Sequence, residues 1–82
     1  MRFLIETSFK GMPTPDALAL VPAETARGLE LDAQGVRLWL LVAADQSKAW
    51  QLVKADSLEA AQAIAASFPL HPYVNTMITP VA

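Results

Sequence analysis

His71 and Arg37 carry the side chains of this sequence that most directly suggest chemistry. His71 is the only histidine, and imidazole titrates naturally near neutrality, so it is a candidate catalytic acid or a partner for a ligand carboxylate. Arg37 stands in an otherwise apolar segment, and its guanidinium fork matches the two oxygens of a carboxylate. The competing interpretations are a surface histidine in a proline-flanked turn and a solvated arginine on an edge strand. If both residues serve a ligand, that ligand is a small organic anion.

Trp39, Trp50 and Tyr73 are candidate substrate-binding residues. Two indole rings can line a cavity for a cyclic or aromatic ligand, and the Tyr73 hydroxyl can form a hydrogen bond with it. In a short chain, however, tryptophans more often anchor the core or an interface, and Tyr73 would then pack the last strand. The residue types alone leave both interpretations open.

Composition excludes several classes of site. The sequence has no cysteine and one histidine, so we predict no disulfide and no metal. Its formal charge is −2 and its basic residues are scattered, which argues against a nucleic-acid partner. It contains no glycine-rich phosphate loop and no nucleophile elbow. The longest apolar stretch, Val36 to Ala44, is too short to span a bilayer, and no signal-peptide pattern is present, so we predict a cytoplasmic protein.

Alternation and helical spacing predict the elements that position these side chains. Strands are predicted from Arg2 to Phe9, Val36 to Ala44, Lys48 to Ala55 and Tyr73 to Val81, and helices from Asp16 to Gln34 and from Leu58 up to Pro69. Pro22 either kinks the first helix or begins a helix of its own after a short turn. Between Pro69 and Pro72 the chain is predicted to be extended, because each proline disfavours helix at the residue before it. The inward stripe of the first helix is predicted to consist of Leu18, Pro22, Thr25, Ala26, Leu29 and Ala33.

The order β-α-β-β-α-β predicts one α+β domain over residues 1–82, with a ferredoxin-like antiparallel sheet and both helices on one face. The other face of such a sheet stays uncovered, and here both parities of the strands carry large apolar residues. With 54% hydrophobic and 17% charged residues, the chain has more apolar surface than a small core can hide. We therefore predict a homodimer or larger homo-oligomer built as a dimeric α+β barrel, with Glu6, Arg37 and Gln51 near the ends of its interior.

The run Phe68-Pro69-Leu70-His71-Pro72-Tyr73, together with the helix before it, resembles the second helix and the Leu-Pro-Leu-Phe-Pro-Tyr signature of muconolactone isomerases. Upstream, Glu24 to Gly35 and the hairpin that follows can be laid on the same family without a gap. The second helix is also similar to that of YciI-like domains, which share the dimeric α+β barrel. The two-proline run favours the isomerases.

The resemblance implies a cofactor-independent isomerase that moves a proton within a small unsaturated lactone or related cyclic acid, in the catabolism of aromatic compounds. It also implies that Glu24, which matches an acidic residue on the family's first helix, carries the proton; the alternative is a solvated carboxylate paired with Arg27. This sequence departs from the family in its apolar second strand and in having Trp50 where the family has a tyrosine. The alternative functions are a non-catalytic ligand-binding or oligomerisation module, and a cofactorless monooxygenase or lyase on the same scaffold.

Overall fold

The computed structural model describes all 82 residues and contains a four-stranded antiparallel sheet with helices on one face. Its strands are β1 (Arg2–Phe9), β2 (Arg37–Val42), β3 (Lys48–Lys54) and β4 (Val74–Val81), and its helices are α1 (Pro15–Leu18), α2 (Val21–Ala33), α3 (Leu58–Ala66) and a 3-10 helix (His71–Tyr73). The strand order is β2-β3-β1-β4. This arrangement confirms the predicted α+β class and ferredoxin-like order. None of the helices has the length and apolar character needed to cross a membrane.

The predicted first helix is divided at Pro22. Thr14 begins α1, its side-chain oxygen accepting a hydrogen bond from the backbone N–H of Ala17. A new helix, α2, then begins at Val21 with Pro22 in its first turn, where a missing N–H costs nothing. Of the two alternatives drawn from the sequence, the one in which a helix begins at the proline is correct.

Gly35 ends α2 at the place the sequence predicts. Its φ of 71° lies in the left-handed region, which a glycine adopts without steric cost. The Gly35 N–H donates to the Asp32 carbonyl, and the Val36 N–H donates to that of Leu31. This pair of bonds satisfies carbonyls at the end of the helix and turns the chain into β2.

The segment between α3 and β4 differs from the sequence prediction. Instead of running extended from Pro69 to Pro72, the chain turns and forms the 3-10 helix, with Leu70 in the right-handed helical region (φ −80°, ψ −2°). The Tyr73 N–H donates to the Leu70 carbonyl at 2.8 Å. A proline early in a short helix lacks only a donor that the helix does not use, so Pro72 is compatible with this turn.

The core lies between α3 and one face of the sheet, which we call the helix face. Phe3, Ile5 and Val53 from the sheet pack against Ala61 and Ala65 of α3. Because successive strand residues point to opposite faces, the intervening residues lie on the other side, which we call the open face. Its apolar members are Leu4, Trp39, Leu41, Trp50, Leu52, Met77 and Val81.

A β-bulge at Leu38 decides which side of the sheet each residue of β2 faces. Arg37 pairs with Val53, whereas Trp39 pairs with Leu52, so Leu38 is an extra residue in β2. Strict alternation would place Arg37 and Trp39 on the same face. The bulge instead leaves Arg37 on the helix face and moves Trp39 to the open face.

The predicted inward stripe of the first helix is wrong. Leu18 and Leu29 are more than half exposed, and the buried residues of α2 are Gly28 and Leu31. With Glu24, these residues recur at spacings of four and three, so α2 turns a glycine and a carboxylate toward the sheet. Hydrophobicity does not identify this face because Gly28, in its middle, covers the charged side chain of Arg37.

Candidate functional site

A cavity of about 230 Å³ lies between the helices and the helix face of the sheet. Its apolar wall includes Ile5, Phe9, Phe68 and Leu70. The polar residues along its lining are Thr7, Ser8, Glu24, Gln46, Ser47, Lys48, Gln51, His71 and Thr76. A small, largely apolar pocket with a few convergent polar groups is the usual form of a small-molecule site.

Glu24 brings a half-buried carboxylate to this cavity from the first turns of α2. Its Oε1 accepts a hydrogen bond from the Leu70 backbone N–H at 2.9 Å. Burial raises the pKa of Glu24 above the ordinary glutamate value, while the Leu70 hydrogen bond and the charges of Arg37 and His71 partly counteract that rise. The result is a carboxylate with a fixed position and an increased affinity for a proton.

The surface ion pair between Glu24 and Arg27, which was the alternative interpretation of Glu24, is not formed. Arg27 pairs with Glu30 at 3.0 Å, and its Nε donates to the Ser67 hydroxyl. Glu24 is therefore free of a cationic partner in direct contact and faces the cavity.

His71 and Thr76 place two buried polar atoms in the same lining. The Nδ1 of His71 and the Oγ1 of Thr76 are shielded from solvent and form no hydrogen bond with the protein. A buried polar atom without a partner costs about 1–3 kcal/mol, so such atoms are rare and often belong to functional sites. His71 is thus part of the cavity, although it lies in a proline-flanked turn.

Arg37 does not lie in water at the sheet edge, as one interpretation of the sequence held. Its side chain is only 9% exposed and forms two hydrogen bonds with Asp32, Nε to Oδ1 at 2.8 Å and Nη2 to Oδ2 at 2.9 Å. Its Nη1 donates to Oε1 of Gln51 at 3.3 Å. Arg37 therefore lies behind the cavity wall, one side chain away from a ligand.

The grouping of Glu6, Arg37 and Gln51 inside a barrel between two sheets is also wrong. Arg37 and Gln51 lie on the helix face, and only Glu6 lies on the open face. There Glu6 accepts a hydrogen bond from Nε1 of Trp50 at 2.7 Å, with Lys48 at 3.9 Å. The cavity that contains Glu24 lies on the opposite side of the sheet from Glu6.

The structure does not bring the candidate aromatic residues to the cavity. Trp39 and Trp50 lie on the open face, with the sheet between them and Glu24. Tyr73 ends the 3-10 helix, where its carbonyl accepts a hydrogen bond from the Lys10 N–H. Sequence reasoning did not assign Gln51 or Thr76 to a site with Glu24, although both line this cavity; strand parity places them on the helix face but does not distinguish them from other residues there.

The muconolactone delta-isomerase family model matches residues 1–82. The chain belongs to this family. A crystal structure of muconolactone isomerase superposes with a TM-score of 0.83 at 21% identity, covering 100% of this chain and 88% of that one. A 5-chloro-2-hydroxyhydroquinone dehydrochlorinase from Burkholderia phenoliruptrix AC1100, in complex with 2,5-dihydroxybenzoquinone, gives a TM-score of 0.72 at 13% identity, covering 100% and 94%. At these identities the two structures establish the shared fold. No curated protein matches the sequence.

The cavity of this family member contains the groups for proton transfer and hydrogen bonding. Glu24 is the one carboxylate in the lining, and His71 and Gln51 supply side-chain nitrogen atoms to the same lining. No three His, Asp or Glu side chains lie close enough to share a metal ion.

Proposed function

We propose that this member of the muconolactone delta-isomerase family moves a proton between two carbon atoms of a small unsaturated lactone or related cyclic acid, with Glu24 as the proton carrier. The observation that carries the proposal is the position of Glu24 in the wall of a small cavity, where burial raises its pKa. A carboxylate in water is too weak a base for a carbon acid, and partial desolvation increases its strength.

The proposed reaction uses one carboxylate twice. Ionised Glu24 takes a proton from a carbon next to the conjugated system, and the electron pair of that C–H bond moves into a new double bond. The protonated carboxyl group then returns a proton to a different carbon, which shifts the double bond and regenerates the carboxylate. Substrate and product are isomers, so the step needs no other reactant.

The size of the cavity supports a small substrate. Pockets for drug-sized ligands measure about 300–1,000 Å³, and this cavity, at about 230 Å³, is smaller. His71 lines the same cavity, and we propose that its imidazole interacts with the acid group of the ligand. Arg37 contributes a positive charge from behind the wall.

The proposal is tested by the substitution Glu24→Gln. Glutamine keeps a side-chain oxygen for the Leu70 N–H, so the fold is retained, but it cannot accept the proton. Turnover of a set of unsaturated lactones, followed by proton exchange in heavy water, is expected to fall by about a hundredfold or more, the size of a general-base contribution. Glu30→Gln, a change on the solvent side of the same helix, is the matched control and should leave turnover unchanged. Equal turnover in wild type and Glu24→Gln would end the proposal.

The same assay separates the alternative functions. A lyase also begins by removing a proton, but it releases a leaving group, whereas an isomerase leaves the mass of the compound unchanged. A non-catalytic ligand-binding module would bind the lactones and exchange no proton with heavy water. The cavity-facing carboxylate favours the catalytic alternatives over a module that only packs an oligomer.

We also propose that the open face of the sheet packs against the same face of a second copy. Only 11 of 82 residues are buried, and the accessible surface of 5160 Å² exceeds the value of roughly 4,800 Å² that the size relation for compact monomers gives for 8.8 kDa. On the open face Trp39 and Met77 are 58% and 61% exposed. Glu6 is compensated by Lys48 within the face, so its charge does not oppose contact with an identical surface.

A further inference from the structure

Gln51 is the one polar residue that the fold buries, at 6% exposure. It lies on the helix face of β3, between the core and the cavity that contains Glu24. Its Oε1 accepts a hydrogen bond from Nη1 of Arg37 at 3.3 Å. A guanidinium has only donors, so the side-chain oxygen of Gln51 must face Arg37 and its NH2 group must face away. That NH2 group donates no hydrogen bond within the protein and, unlike Nδ1 of His71 and Oγ1 of Thr76, it is not fully shielded from solvent.

Arg37 is itself held from two sides. Asp32 binds it through two hydrogen bonds, which fix the plane of the guanidinium. Gly28 of α2 lies directly over it: a Cβ at that position would be 2.5 Å from Nη1. The chain Asp32–Arg37–Gln51 therefore runs under α2 from its last turn to the cavity, and only a glycine in the helix leaves room for it.

We propose that the side-chain NH2 of Gln51, oriented by Arg37, donates a hydrogen bond to a carbonyl oxygen of the substrate that is conjugated with the carbon losing its proton. The inference rests on the proposed function and narrows its substrate class to carbonyl compounds that form an enolate. When the proton moves to Glu24, the C–H electron pair forms a carbon–carbon double bond and the carbonyl π pair moves to oxygen. The developing oxyanion then meets a donor already in place.

A neutral donor backed by a cation suits this position. Arg37 in direct contact with the cavity would pair with Glu24 and lower its basicity. Through the Gln51 amide, Arg37 polarises the donor while its own charge stays shielded behind the wall, because hydrogen bonds in a chain strengthen one another. Gln51 is thus a candidate catalytic residue, and Arg37 and Gly28 are positioning residues.

The test uses two variants that both remove the donor. Gln51→Glu keeps a side-chain oxygen for Arg37 and so protects the fold, while Gln51→Met removes the polar group without adding charge. In the lactone exchange assay both are expected to lower kcat by about a hundredfold, the effect of losing one oxyanion donor, with a smaller change in KM. Thr25→Val, a change at an exposed position of α2, is the control and should keep wild-type kcat.

Binding of tetronic acid, a five-membered lactone that is an enolate at neutral pH, gives a second readout without turnover. Calorimetry is expected to show binding to wild type that both Gln51 variants weaken at least about tenfold, consistent with loss of a hydrogen bond to a charged group. If folded Gln51→Glu and Gln51→Met keep wild-type kcat and tetronic acid affinity while Glu24→Gln is inactive, the Gln51 inference is overturned and the proposed function stands. If Glu24→Gln remains active, the proposed function fails; unchanged tetronic acid affinity in the Gln51 variants would then overturn the donor role as well.

Discussion

Glu24 is stabilised as a neutral acid by the fold and needed as an anion by the proposed reaction. Burial raises its pKa, and this effect exceeds the opposing effects of the Leu70 hydrogen bond and the charges of Arg37 and His71. The proposed activity should therefore depend on pH through this one group. The dependence has two separate consequences, one for rate and one for stability.

The rate is expected to rise with pH through the raised pKa of Glu24, because only the ionised carboxylate accepts a proton. In a profile of kcat/KM for lactone exchange, the acidic limb should lie above the ordinary pKa of glutamate. An acidic limb at or below that value would contradict the assignment of Glu24 as the base.

The stability is expected to change in the opposite direction over the same interval. Because the folded chain holds the Glu24 proton more tightly than the unfolded chain, this group's contribution to stability is complete below its unfolded pKa and is lost as the pH rises through its folded pKa. Glu24→Gln lacks this titration. In urea unfolding of both proteins over that interval, wild type should lose stability relative to the variant as the pH rises; a constant difference would argue against the burial effect.

Residue types alone identified only part of the site. Glu24 emerged through its family resemblance, because one carboxylate on an amphipathic helix has no distinctive spacing. His71 was identified by its unique chemistry, and the cavity does include it. Gln51 could not be singled out, since an amide in an alternating strand is as compatible with solvent as with a buried network; its importance depends on an arginine fourteen residues earlier.

At the scale of elements, the contact between α2 and β2 depends on one position without a side chain. In the interior of a helix, Gly28→Ala ordinarily adds about 1 kcal/mol of stability through helix propensity. Here the new Cβ would meet the guanidinium at 2.5 Å and force it away from Asp32 and Gln51. We expect Gly28→Ala in wild type to lower kcat for lactone exchange by about tenfold, a fraction of the effect of removing the Gln51 donor, with no gain in stability.

Repeating Gly28→Ala in an Arg37→Ala variant tests whether contact with the guanidinium causes the effect of the glycine substitution. Without the guanidinium, Gly28→Ala should become stabilising by about 1 kcal/mol, because only the propensity effect remains. The four proteins form a double-mutant cycle, read from their free energies of urea unfolding. A change at Gly28 that has the same effect in both backgrounds would show that the two residues do not interact.

The sequence predicted where the helices and strands lie more accurately than it predicted which side of the sheet each residue points to. The bounds of β1 and the cap of α3 at Ser57 agree with alternation and capping rules. The side of the sheet to which each β2 residue points could not be predicted from the sequence. Such a prediction assumes strict alternation, and the bulge at Leu38 reverses the alternation. The 3-10 turn before β4 was missed for a related reason: a proline restricts its own φ to values that both extended and helical turns accept.

At the scale of the whole molecule, the cavity and the open face lie on opposite sides of the sheet. The cavity residues Glu24 and Gln51 lie on the helix side of the sheet, whereas the proposed contact between copies uses the open face. Association would act on the site indirectly, by holding in place the sheet from which Gln51 and Thr76 project. We therefore expect a substitution on the open face to change assembly without removing a side chain from the cavity.

The proposed dimer predicts that a charge in the centre of the open face separates the copies. Leu41→Glu places a carboxylate among Trp39, Trp50 and Leu52, where pairing with a second copy would bury it without a partner at a cost of several kcal/mol. Light scattering is expected to report a dimer or a multiple of dimers for wild type and a monomer for this variant. Leu29→Glu, at a similarly exposed position on the outer surface of α2, is the control and should keep the wild-type mass. A wild-type monomer in dilute solution would contradict the pairing of open faces, and so would an equal loss of assembly in both variants. The exposed apolar side chains of β2 would then require another explanation.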